Sequence, residues 1–178
     1  MHQSKAEMTR EKLMTVALEL FSSRGFHATG IRDIATAAGV STGLAYNYFP
    51  TKGDILGQLV LEHANRLTTT TAAFLQNCTE LDAHHLARFL MQWINAEAPS
   101  IRLIWSLAIL PVSVHEIPPE ALEHLQIAQV TLDNLLVGTP IDPPLLRSLI
   151  LGITIHHLSS PHGLNEDEIR RQLQFLFG

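Results

Sequence analysis

Residues 29–52 read TGIRDIATAAGVSTGLAYNYFPTK, and the fold turns on how two glycines and a proline divide this stretch. Ile31, Ile34, Ala35 and Ala38 recur three and four apart, the spacing of one helix face. Gly39 ends that helix, Val40 turns inward, and Ser41 caps a second short helix that Pro50 must terminate by about Phe49. Small side chains at Ala35, Ala38 and Ala45 leave room for a close crossing, so the pair predicts a helix-turn-helix.

Ser41, Thr42, Gly43, Leu44 and Asn47 fall on or near the outer side of the second short helix. Their hydroxyl, amide and bare backbone groups suit base edges and phosphates, and Gly43 removes bulk where a groove wall would approach. Tyr46 and Tyr48 add phenolic donors. Lys52 places a cation at the start of the next helix, where free backbone N–H groups already favour an anion. All of these converge on one anionic surface.

Working outward, Leu13, Met14, Ala17, Leu18, Leu20 and Phe21 form the stripe of a first helix, with Thr9 expected as its N-cap and Gly25 as its stop. Thr51 and Asp54 form a capping box for a long fourth helix reaching the Asn77 region. Further helices are expected at 81–97, 100–113, 119–137, 144–159 and 165–176, separated by proline and glycine punctuation that includes Pro99. No alternating strand pattern of useful length occurs. The fold class is therefore all-α: an N-terminal three-helix helix-turn-helix domain over 1–52, then a helical ligand-binding and dimerisation domain over 53–178.

The net charge of −5 alone argues against nucleic acid, but its distribution does not. Up to Ile55, six basic residues (Lys5, Arg10, Lys12, Arg24, Arg32, Lys52) outweigh five acidic ones (Glu7, Glu11, Glu19, Asp33, Asp54), and the remaining −6 belongs to the rest of the chain. No run approaches the roughly 18 apolar residues of a membrane span. The front of the chain lacks a secretory h-region, and the lone Cys78 has no internal disulfide partner, so the expected location is the cytoplasm with no membrane partner.

The segment from about Thr9 to Leu59 resembles the N-terminal domain of the tetracycline-repressor (TetR) family of bacterial regulators. The likeness is carried by the ALELF run of helix one, Gly25-Phe26, Ile34-Ala35, Ala38-Gly39-Val40-Ser41 and Tyr46-Asn47-Tyr48-Phe49-Pro50-Thr51-Lys52. It implies phosphate contacts from Thr29, Thr42, Tyr46, Tyr48 and Lys52, and base or groove contacts from Arg32, Thr42, Gly43, Leu44 and Asn47. Leu44 departs from the pattern, standing where Ser or Thr is usual, as does Gly53, where Glu is typical.

The second half carries no recognisable catalytic arrangement, so no enzyme is expected. The adjacent pairs His84-His85 and His156-His157 point to different helix faces and lack the four-residue spacing of a metal pair; neither metal nor cofactor is expected. Phe74, Phe89, Trp93 and Trp105, with Arg102 among the interleaved polar groups, are the candidates for a mostly apolar effector cavity of the kind the resemblance implies. The last two helices hold more apolar residues than one face each can bury. Leu146, Ile150, Ile153, Ile169, Leu173 and Phe177 are assigned to a homodimer interface.

The function expected is a ligand-responsive transcriptional regulator: a dimeric repressor on a palindromic operator, released by a small apolar or amphipathic effector. The alternatives are a helical ligand- or protein-binding module that does not use DNA, and a small helical enzyme built on an acid such as Glu97 or Glu123.

Overall fold

The computed structural model describes residues 4–109, 118–139 and 141–177, with the side chains at 105 and 107–109 outside the description. The described residues form helices α1 (Lys5–Arg24), α2 (Ile31–Ala37), α3 (Thr42–Tyr48), α4 (Lys52–Asn77), α5 (Ala83–Ile109), α6 (Pro119–Leu135), α7 (Pro143–Ser159) and α8 (Glu166–Leu173), and a closing 3-10 turn, Gln174–Leu176. Among the described residues no helix is long and apolar enough to cross a membrane. Two compact units result, one of residues 1–64 with 99–126, the other of 65–98 with 127–178. The divisions fall inside α4, α5 and α6.

In the first unit, α1 begins earlier than its apolar stripe indicates. Ser4 caps it: Glu7 N–H donates to Ser4 Oγ (3.2 Å) and Ser4 N–H returns a bond to Glu7 Oε2 (2.7 Å). This reciprocal box satisfies two orphan donors with purely polar residues, which hydrophobic periodicity does not register. Thr9, the expected cap, lies inside the helix, its hydroxyl donating to Lys5 O.

Leu13, Met14, Ala17, Leu20 and Phe21 of α1 are buried against Ile31, Ile34 and Ala35 of α2, Ala45 of α3, Phe49, and Ile55, Leu56, Leu59 and Val60 of α4. Phe21 and Phe26 meet edge to face at 5.0 Å. At the turn between α2 and α3, Gly39 has φ +64°, a left-handed conformation that L side chains rarely adopt. There the N–H groups of Ala38, Gly39 and Val40 bond back to Ile34, Thr36 and Ala35. Ser41 Oγ accepts from Leu44 N–H (3.2 Å), and Phe49, extended before Pro50, closes α3. The Thr51–Asp54 box opens α4 as its sequence indicates, with Asp54 N–H on Thr51 Oγ1 (3.1 Å) and Thr51 N–H on Asp54 Oδ2 (2.8 Å).

The largest departure from the sequence expectation is α5. Pro99 was expected to separate two helices, yet one helix runs through it. Proline deletes one ladder bond and crowds the preceding turn, at a cost of about 3 kcal/mol. Against that, Ala87, Leu90 and Ile94 before the proline and Ile101 and Leu103 after it are each buried in their own unit, so the helix is anchored on both sides of the proline. Burying large aliphatic side chains at about 1.5–3 kcal/mol each is enough to offset the lost bond. The expected end of this region at Ser113 lies outside the described residues.

In the second unit, Ala83, Leu86, Ala87, Leu90 and Ile94 of α5 pack with Ile141, with Leu146 and Ile153 of α7, and with Leu164, Ile169 and Leu173 at α8. Arg66 on α4 holds Glu97 on α5 through two bonds (2.8 and 3.1 Å), and Arg147 pairs with Asp133. The turn into α8 closes on one imidazole: His157 Nδ1 accepts from Leu164 N–H (2.9 Å), while its Nε2 faces Asn95 Oδ1 (3.2 Å). Gly163, at φ +66°, leaves room for that ring; a Cβ there would lie 2.8 Å from His157 Cε1.

Two outcomes test this packing. Replacing fully buried Ile34 by Ala is expected to lower unfolding free energy by about 2–5 kcal/mol, read from urea titration. Asp82 Oδ1 accepts from His85 N–H (2.7 Å) at the start of α5, and that backbone bond holds the carboxyl below its ordinary value. Because the depressed value belongs to the folded state, the contribution is complete above the ordinary aspartate range and disappears as pH falls through the folded value. The His85 amide resonance should therefore titrate with a midpoint below that of a free aspartate, and Asp82→Asn should abolish the transition.

Candidate nucleic-acid interface

Burial of Ala45 and Phe49 fixes which side of α3 points inward. On a seven-residue helix that leaves the other residues little choice. Gly43, Leu44, Tyr46 and Asn47 are exposed, Leu44 by 38% and Tyr46 by 46%, and Thr42 and Tyr48 are half-buried, Tyr48 packing against the core of the first unit. Ser41 and Arg32 are also exposed, and a Cβ built on Gly43 meets nothing within 4 Å. The helix thus offers an amide, a phenol, an aliphatic side chain and bare backbone on its open side, with the Arg32 guanidinium contributed by α2.

Two residues that the TetR resemblance assigned to phosphate are turned inward. Thr29 is only 2% exposed, and its hydroxyl donates to Gly25 O (2.9 Å), closing the connection between α1 and α2. Its side chain is not available to a phosphate. Lys52 is half-buried: its Nζ donates to Phe26 O (3.0 Å) and lies 4.3 Å from the centre of the Phe26 ring. One ammonium donor is committed to the fold, and the cation–π contact fixes the stem. Lys52 is therefore first a clamp between the start of α4 and the Phe26 loop, with its remaining donors free for a second role.

Two cations on α1 lie beside the helix-turn-helix. Arg10 lies over the Phe49 ring at 5.3 Å, and Lys12 Nζ lies 3.9 Å from where a Cβ would stand on Gly39. Their partners are 39 and 27 residues away in the chain, so no local pattern could have revealed them.

In the second unit, the candidate effector residues Phe74 and Phe89 stack at 4.4 Å with 16° between their rings, and both, like Trp93, are half-buried against the core. Arg102 is exposed and belongs to the first unit; the Trp105 side chain lies outside the described residues. The buried hydroxyl of Thr154 on α7 has no hydrogen-bond partner among the described residues. Of the two carboxylates considered for an enzyme, Glu97 is ion-paired with Arg66 and Glu123 is exposed. Among the described residues no group of three or more His, Cys, Asp or Glu side chains could hold a metal ion.

The interface candidates on α7 and α8 divide. Leu146, Ile153, Ile169 and Leu173 are enclosed by their own unit, and Ile150 and Phe177 pack half-buried against it. Leu146, Ile153, Ile169 and Leu173 are thus part of the core of their own unit. The apolar surplus expected of this region instead lies exposed at Leu145, Leu151, Ile155 and Phe175. Leu145, Ser148, Gly152 and Ile155 share one face of α7, and Gly152 has open space where a Cβ would be.

Residues 13–59 match the family model described as bacterial regulatory proteins, tetR family. The HTH-type transcriptional regulator LuxR of Vibrio harveyi is 40% identical over 75 residues, covering 42% of this chain and 35% of LuxR. The chain matches about a third or less of the length of the curated relatives. Two solved structures share the fold over nearly the whole chain at 21% identity. They are the fatty acid degradation regulator FadR from Bacillus halodurans, with a TM-score of 0.73 over 100% of this chain and 97% of that one, and the multidrug binding protein EbrR complexed with malachite green, with 0.69 over 94% and 96%. Through the helix-turn-helix carried by α2 and α3, residues 13–59 of this chain are similar to the bacterial regulatory proteins of the tetR family.

Proposed function

We propose that this chain is a cytoplasmic, homodimeric transcriptional repressor that reads a palindromic duplex operator through α3 and releases it when a small apolar or amphipathic effector binds. Residues 1–52 form the reading head, and 53–178 receive the effector and the second subunit. The observation that carries the reading is the outward face of α3, where Gly43, Leu44, Tyr46 and Asn47 stand exposed although the rest of the domain's large apolar side chains are almost all buried. The outward chemistry of this seven-residue helix matches the base edges and phosphates of a major groove.

Two such helices about 34–36 Å apart would enter successive major grooves on one side of the duplex, and two-fold symmetry makes the operator palindromic. The second copy is assigned to the exposed face of α7, Leu145, Leu151 and Ile155 with Phe175 beyond, where Ser148 and Gly152 permit close helix approach. For the effector, the half-buried Phe74–Phe89 stack and Trp93 are assigned to the apolar walls of a binding site. That EbrR is a multidrug binding protein supports an effector of this chemistry. Release of DNA requires the effector to favour a conformation in which the two reading heads are wrongly spaced.

Gel shifts with duplex taken from upstream of the chain's own gene, at two salt concentrations, test the DNA reading. Binding should weaken steeply with salt, and Tyr46→Ala and Asn47→Ala should each cost about 1–3 kcal/mol on the specific duplex while leaving the melting temperature unchanged. Equal binding by both variants would remove α3 from the interface. The double variant Leu151→Glu with Ile155→Glu should sediment as a monomer and lose operator binding; a dimer that persists would place the second subunit elsewhere.

A further inference from the structure

We propose that Leu44 reads thymine methyl groups, making each half-site selective for a T·A or A·T pair beneath the start of α3. The inference rests on duplex DNA being the partner, and deepens that reading by naming what one side chain recognises.

The Leu44 side chain is exposed and belongs to neither hydrophobic core cluster. Among the described residues up to Pro50, the exposed large apolar side chains are Met8, Leu44 and Tyr46, and the neighbouring Ala45 takes the inward position on α3 at 2% exposure. The Leu44 backbone N–H is already consumed by Ser41 Oγ at 3.2 Å, which fixes the first turn and leaves the isobutyl group as all the residue can offer a partner. Gly43, immediately before it, is exposed with open space in place of a side chain, so nothing holds the groove floor away from Leu44.

The chemistry of the major groove then selects the pair. Guanine presents two acceptors, cytosine an amino donor, and adenine one of each; thymine alone adds a methyl group. An isobutyl group pressed on the first three strips water from polar atoms and returns no hydrogen bond, which is a penalty. Pressed on thymine C5-methyl, it buries two apolar surfaces together. Asn47, one helical turn further on and also exposed, carries the amide that pairs with adenine N6 and N7, so the two residues favour the same class of base pair at adjacent positions.

The test begins by selecting duplexes from a random library with the full chain. Each thymine of the selected duplex is then replaced in turn by deoxyuridine, which pairs identically and lacks only the methyl. One position per half-site should lose about fourfold in affinity for the wild-type protein, the effect of one buried methyl group. Leu44→Ala should bind the thymine duplex more weakly by a similar factor and show no further loss with deoxyuridine at that position. Uracil tolerated everywhere by the wild type, or the same loss in both proteins, overturns the inference while the DNA-binding reading stands. Failure to enrich any duplex sinks that reading and this one together. The base substitution needs no protein variant, so the result does not depend on how Leu44→Ala folds.

Discussion

The close crossing of α2 and α3 is the constraint on which the rest of the N-terminal unit depends. Ala35, Ala38 and Ala45 are almost completely buried, and between the helices Gly39 takes a left-handed turn that returns three N–H groups to α2. Larger side chains at the alanines would push the helices apart, since cores at native density tolerate little added volume. Because the crossing is made by alanines, α3 is held from one side by small contacts and by Phe49. Leu44 and Tyr46 are left exposed.

That arrangement sorts the residues of the interface into two kinds. Tyr46, Asn47, Leu44 and Gly43 face outward as their helical spacing indicates. Thr29 and Lys52 carry equally suitable chemistry, but they are used first by the fold, the hydroxyl on Gly25 O and the ammonium on Phe26 O. A buried or half-buried polar group must find a partner, and a nearby carbonyl satisfies it as well as a phosphate would. Residue type therefore says what a side chain can bind, and burial decides which partner it has.

The C-terminal helices follow a similar logic at larger scale. Their composition is more apolar than one face requires, and both the core and the exposed surface draw on it. Leu146 and Ile153 sit on the side of α7 that meets α5, while Leu145 and Ile155 sit on the open side. A shift of one residue along a helix rotates a side chain by about 100°, so a sequence rich in leucine and isoleucine on every side does not reveal which stripe faces inward. Pro99 shows the converse error. Local punctuation indicated a break, and burial of α5 side chains on each side of the proline overrode it.

What the sequence by itself determined is what is encoded within a few residues. The all-helical class, the helix-turn-helix between Thr29 and Lys52, the Ser41 and Thr51 caps and the inward side of α3 all arise from contacts no more than one or two turns apart, and local spacing records such contacts directly. Tertiary structure alone decided the destinations of Lys52, Arg10, Leu146 and Pro99. Each depends on a partner or a packing face tens of residues away, or on burial summed over a whole helix. The physical reason is range: a backbone hydrogen bond in a turn is satisfied locally, whereas a side chain of four or five bonds meets whatever the folded chain brings beside it.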